Sequence, residues 1–169
     1  MATRNVAYGT YTAMTVTNLQ SLASSSTAGW QSLRVDNQTS VKALDYEITI
    51  KLTTANTAPA NDKAAHVYIS RAMTTDGGTT WLHDDQGTGT LPTGAEGTTT
   101  IVAGGGNMAP LGDLVYVTTQ MTMERSFLLS QAVGRYMPDG FSIVIANFTG
   151  AALSTSCVVA YRAVTETIA

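Results

Sequence analysis

His83, Asp84 and Asp85 are the densest group of side chains that could do chemistry in this chain, with Asp76 a turn away. One imidazole and three carboxylates could hold a divalent cation. Calcium takes six or more oxygens, and no Asp-x-Asp-x-Asp-Gly spacing supplies them here, so a solvated loop beside Trp81 is the stronger reading. Asp45 and Glu47 invite a glycosidase reading. They lie two apart on one strand face shared with Thr49 and Lys51, which makes a solvated sheet face the better account. His66 falls on the polar side of another strand. Two histidines in the whole chain supply a metal hydrolase poorly, and no Gly-x-Ser-x-Gly elbow offers a serine nucleophile. Gly104-Gly-Gly-Asn107 lacks the Lys-Ser/Thr and the following helix of a phosphate loop, and reads as a turn. No catalytic, cofactor-binding or metal residue is assigned from the sequence, and the expectation is a protein that is not an enzyme.

Trp30, Trp81, Tyr46, Tyr68, Tyr116 and Tyr136 could stack on sugars if exposed and coplanar. Alternating with apolar residues, they fit a core or an interface better. Asn37-Gln-Thr39 and Asn147-Phe-Thr149 fit a glycosylation sequon, which has no use without an export signal. Cys157, the single cysteine, lies in an apolar run and reads as a buried small hydrophobe.

The elements that must position these groups are strands. Tyr46, Ile48, Ile50 and Leu52 alternate with Asp45, Glu47, Thr49 and Lys51, the period-two pattern of a half-buried strand. Further runs are expected at Trp30–Asp36, at Ala65–Met73 with Val67 and Ile69 inward, at Thr98–Ala103, and at Leu114–Met121 with Val115, Val117, Thr119 and Met121 as the alternating set. Ser126–Val133, Phe141–Phe148 and Ser156–Thr165 complete the series, with Met123–Ala132 as the one helical alternative to the first of these. Thr74–Thr80 carries an Asp-Gly-Gly turn, after which Trp81 starts a short strand or plugs a sheet end. Residues 84–97 form a long loop. About eight strands separated by turn signals predict an all-β, antiparallel β-sandwich, with a jelly roll favoured. Residues 1–28 read as an extended N-terminal arm and linker, and 29–169 as the sandwich domain. The tyrosines Tyr8 and Tyr11 argue against a wholly solvated arm. It orders either on a neighbouring subunit or on its own domain.

The composition bounds the partners. Charged residues make up 12% of the chain, about half the usual share, and threonine fills roughly one position in six. Threonine suits strands and wets a surface without charge, and with so few charges this fits a chain largely covered by other proteins, or an extracellular or viral particle protein. A net charge of -3 with scattered Lys and Arg gives no track for nucleic acid. No stretch is long and apolar enough for a membrane helix, and the start lacks the core of a secretory signal, so the chain is expected to be made in a cytoplasm and not exported by that route.

Leu22-Ala-Ser-Ser-Ser-Thr-Ala-Gly-Trp30-Gln-Ser-Leu-Arg-Val35-Asp36-Asn37 resembles the opening of small virion proteins of tailed bacteriophages. Val67-Tyr-Ile-Ser with Asp76-Gly-Gly-Thr-Thr-Trp81 is similar to their Tyr-x-Ser … Asp-Gly-x-x-Tyr/Trp hairpin. Leu111-Gly, with Met137-Pro-Asp-Gly-Phe-Ser-Ile-Val-Ile-Ala-Asn147-Phe-Thr-Gly150-Ala-Ala-Leu153, resembles their ending. The resemblance runs over most of residues 22–165. It implies a capsid decoration (cement) protein of jelly-roll type, a homotrimer on the outer capsid surface that bridges neighbouring major capsid proteins, with no cofactor and no catalytic residues. The long 84–97 loop departs from the pattern. An alternative from another class is a carbohydrate- or receptor-binding sandwich module of a phage tail or fibre.

Overall fold

A computed structural model describes residues 4–38, 42–55, 57–60, 63–84, 94–117 and 121–168. The chain is almost entirely β. Its strands are β1 (Arg4–Tyr8), β2 (Thr12–Ala13), β3 (Ala28–Gln31), β4 (Val35–Asp36), β5 (Asp45–Thr53), β6 (Ala64–Met73), β7 (Leu82–His83), β8 (Gly97–Thr100), β9 (Ala109–Val115), β10 (Thr122–Leu128), β11 (Gly140–Asn147) and β12 (Val158–Ile168), with a one-turn helix α1 (Ser130–Val133).

Two antiparallel sheets pack face to face. The first runs β1–β12–β5–β10, with β2 also against β12. The second is centred on β6 and β11; β7 and β9 flank β6, β3 and β4 lie on the far side of β11, and β8 adds outside β3. Taking β1/β2, β3/β4, β5, β6, β9, β10, β11 and β12 as eight positions, successive strands fall in sheets one, two, one, two, two, one, two, one. That is the wiring of a jelly roll.

The alternation in β5 does what its residue types dictate. Tyr46, Ile48, Ile50 and Leu52 are buried between the sheets, and Glu47, Thr49 and Lys51 face out. Facing them across the core are Val67, Ile69, Phe141, Ile143 and Ile145. Strand β11 is buried at every position, as a continuous Phe-Ser-Ile-Val-Ile-Ala run allows. Its outer face is covered by Ile101 and Met108, which pack with Tyr68, Val144 and Ala146 in a second apolar cluster. The outer face of the first sheet has no such cover among the described residues.

Two expectations change on the structure, and a third, left open between two forms, takes its own-domain form. The run at Leu114–Met121 begins earlier, at Ala109, and its strand ends at Val115. Its inward set is Leu114 and Tyr116, not Val115 and Val117, which are exposed. Both sets are apolar, so pattern alone cannot choose; pairing of Ala65 with Leu114 and of His66 with Asp113 sets the face. Ser126–Val133 splits into the end of β10 and the turn of α1, because Asp45 accepts from the Ser130 backbone N–H at 3.0 Å and bends the chain there. Residues 4–13, read as an arm, are extended and lie along β12 of their own sandwich, Arg4 opposite Ile168 and Tyr8 opposite Val164.

Candidate functional site

Two surfaces gather side chains with chemistry. The first is a cleft at the sandwich rim, of about 520 Å³, between the end of β6, β7 and the segment from α1 to β11. The Asp-Gly-Gly turn lies between β6 and β7, which both contribute to the cleft lining. Gly77 and Gly78 take φ of 69° and 100°, which the missing Cβ permits. The Asp76 carboxylate accepts from the Thr80 and Thr79 backbone N–H groups at 2.8 and 3.1 Å and from the Thr74 hydroxyl at 2.9 Å. These bonds, that from the Thr80 N–H foremost, push its pKa down to about 2. Trp81 donates its indole N–H to Gly78 O at 2.8 Å, and Arg34 lies over its ring at 4.0 Å. The ring caps the sheet end at Gly140, where a Cβ would come within 2.9 Å of it.

His83 and Asp84 line this cleft, but each has a task within the fold. The Asp84 carboxylate takes the Arg71 Nε–H at 2.7 Å and the Arg71 backbone N–H at 3.2 Å. His83 is half-buried with its Nε2 3.5 Å from Arg34 Nη1. Burial first, and the Arg34 charge second, hold its pKa below the ordinary histidine value, so it is neutral. Arginine only donates, so Nε2 is the acceptor and the proton sits on Nδ1, which has no partner among the described residues. Asp85 lies outside the described residues, as do 86–93 of the long loop. Among the described residues no three His, Cys, Asp or Glu side chains stand together as a metal site.

The second surface is the open outer face of the first sheet. Glu47 of β5 and Arg162 of β12 are cross-strand partners, and Arg162 Nε donates to Glu47 at 2.7 Å. That hydrogen bond holds the Glu47 carboxyl below the usual carboxylate range. The Arg162 guanidinium lies over the rings of both Tyr8, at 4.7 Å, and Tyr11, at 4.6 Å. Around this stack Val6, Leu128 and Val158 are exposed. Register places them on the same face: Val6 opposite Glu166, Leu128 opposite Glu47, Val158 opposite Lys51. Asp45, the other half of the supposed carboxylate pair, is spent on Ser130. Neither carboxylate is free for acid–base work.

No family model, curated protein or solved structure matches the chain. The reading of function therefore rests on the residues themselves.

The remaining polar residues singled out in the sequence are built into the framework. His66 Nδ1 stands 2.6 Å from Asp113 on β9. Asn37 is buried; its side-chain oxygen accepts from Ala43 N at 3.0 Å and the Tyr46 hydroxyl at 2.9 Å, while its neighbour Asp36 closes the local turn onto Gln38 N. Asn147 is fully buried and donates to Leu22 O and Ala151 O while accepting from Thr149. Of the aromatics considered as sugar platforms, Trp30, Tyr46, Tyr68 and Tyr116 are buried and Trp81 is half-buried, whereas Tyr136 is 83% exposed. Two groupings escaped sequence reasoning. One is the Tyr8–Arg162–Tyr11 stack, whose only trace is two tyrosines in a segment otherwise short of large side chains. The other is Glu96, which accepts the Trp30 indole N–H at 2.7 Å and both the backbone and side-chain N–H groups of Asn18 at 2.7 and 2.8 Å. A lone glutamate at the end of a polar loop carries no signal of that.

Proposed function

We propose that this chain is a structural virion protein: a head decoration (cement) protein that binds the outer surface of a bacteriophage capsid, as a homotrimer, and holds neighbouring major capsid proteins together. The observation that carries the reading is the asymmetry of the sandwich. The second sheet is covered on its outside by the chain's own Ile101 and Met108. The first sheet presents Val6, Tyr8, Tyr11, Leu128 and Val158 around one internally paired Arg–Glu couple. Tyrosine and arginine are enriched in protein contacts, and an apolar set within a polar rim is how such contacts are built. On that face Arg162 is paired with Glu47 and Arg4 with Glu166, and Lys51 stands across from Glu124, so covering it buries little net charge. Modest contacts of this kind become strong by repetition over a symmetric shell. The resemblance over residues 22–165 points the same way.

The test adds purified protein to capsids that lack it. Binding by co-sedimentation, with greater capsid resistance to heat or low ionic strength, is expected. A double variant Tyr8→Ser, Leu128→Ser, with an unchanged circular dichroism spectrum, is expected to bind weakly. Capsids that neither bind the protein nor gain resistance would sink the proposal.

A further inference from the structure

We propose that the rim cleft is a binding site for a neutral saccharide, with Tyr136 as its stacking platform. Its volume of about 520 Å³ lies in the ~300–1,000 Å³ range of small-ligand clefts. Tyr136 stands at its wall with 83% of its surface exposed, an aromatic ring that the described residues leave largely uncovered. Met73 and Leu82 are exposed on the β6–β7 side of the same cleft. An exposed phenol ring sharing a cleft with exposed apolar side chains suits a ligand with a flat C–H face.

The polar lining selects the class. Arg71 and Asp84 are paired at 2.7 Å, and Asp139 is paired with Lys42 at 3.6 Å. Every charge among the described cleft residues thus has an opposite partner, so those residues leave no spare charge to attract an ion. An anionic or cationic ligand would have to break a pair that is already made. Hydrogen-bonding capacity remains nonetheless. Only some of the five guanidinium N–H groups of Arg71 are used on Asp84, and carboxylate oxygens accept more than one bond. A matched set of donors and acceptors beside an aromatic ring is complementary to sugar hydroxyls, each of which donates and accepts. His83 is half-buried with its pKa held below the ordinary histidine value, so it adds no charge to the site at pH 7.

The cleft lies at the rim, on the second sheet's β6 and β7, so a sugar there leaves the outer face of the first sheet free. The test uses the full chain with its methionine methyls labelled, titrated with neutral trisaccharides of glucose, galactose, mannose and N-acetylglucosamine, and with a sialylated trisaccharide as the charged arm. At least one neutral probe is expected to shift the Met73 and Met137 methyl signals and to saturate. Tyr136→Ala is expected to weaken that binding roughly tenfold or more. Tyr136 is so exposed that the variant keeps its fold, which the unshifted signals of the remaining methionines would verify. Tyr8→Ala, on the first sheet, is expected to leave the affinity unchanged. The proposal is overturned if no neutral probe binds, if only the sialylated one does, or if Tyr136→Ala binds as tightly as the unaltered chain.

Discussion

Replacing Glu96 by alanine tests whether a single carboxylate ties the long loop to the core. Glu96 receives three hydrogen bonds, from the Trp30 indole at 2.7 Å and from Asn18 N and Nδ2 at 2.7 and 2.8 Å. Trp30 is fully buried, so its N–H loses its acceptor and an unmet buried donor costs about 1–3 kcal/mol. The Asn18 groups are near the surface and can turn to water, adding about 1 kcal/mol. The sum is about 2–4 kcal/mol, a sizeable part of the ~5–15 kcal/mol that keeps a domain folded. Glu96→Gln retains an oxygen for Trp30 and Asn18 N, and Asn18 can turn its amide to meet the new NH2; this variant should cost about 1 kcal/mol or less. Burial acts to raise the Glu96 pKa, but the hydrogen bonds from Asn18 and Trp30 outweigh it and leave the pKa below the ordinary 4.5. Its pH-dependent contribution is therefore complete above about pH 4.5 and is lost as the pH falls through the lower, folded-state value. Glu96→Gln should lack that acid-side loss. Urea unfolding followed by far-ultraviolet circular dichroism between pH 3 and pH 7, with the slope checked for constancy, measures both effects. A Glu96→Ala cost under about 0.5 kcal/mol, or a Glu96→Gln cost equal to it, would refute the reasoning.

Other consequences follow from particular contacts. Asn147→Ala strips partners from the Leu22 and Ala151 carbonyls and from Thr149 in a fully buried place, and should cost about 2–4 kcal/mol in the same urea assay. Gly29→Ala would put a Cβ 2.7 Å from the Ile145 backbone oxygen, which cannot swing away, so a loss of about 1–3 kcal/mol is expected, with weakened exchange protection in β3 and β8. Cys157 is buried and its thiol pKa is raised by that burial, so Ellman's reagent at pH 8 should react only at the rate of unfolding.

Much of the framework is written in residue alternation. Strand β5 is legible because its two faces differ in polarity, and β11 because six consecutive residues suit burial on both sides. Around Leu114 both faces are apolar, and the sequence holds no preference to read; register against β6 decides. The bend after Leu128 is set by Asp45, distant in sequence, which no local propensity reports. The cation reading of His83 and Asp84 shows the same limit. Their types and spacing are visible, but that Arg71 engages Asp84 is a fact of pairing between β6 and the chain after β7. Tyr136 is the converse: six aromatics looked alike in sequence, and only packing separates the exposed one from the buried.

The jelly-roll wiring also governs how the chain comes to be folded. In the first sheet, Lys51 of β5 lies opposite Val158 of β12 and Glu124 of β10. Half-way through synthesis, Ile48, Ile50 and Leu52 have neither of their sheet neighbours. Contacts so distant in sequence place a chain among slow folders, on the order of milliseconds to seconds. Until β10 is made, β5 is a strand with one apolar face and two open edges, and until β12 is made one edge stays open, a form of chain prone to pair with another copy of itself. Yield on expression should then depend more on how fast the ribosome delivers the last strand than on the stability of the finished sandwich.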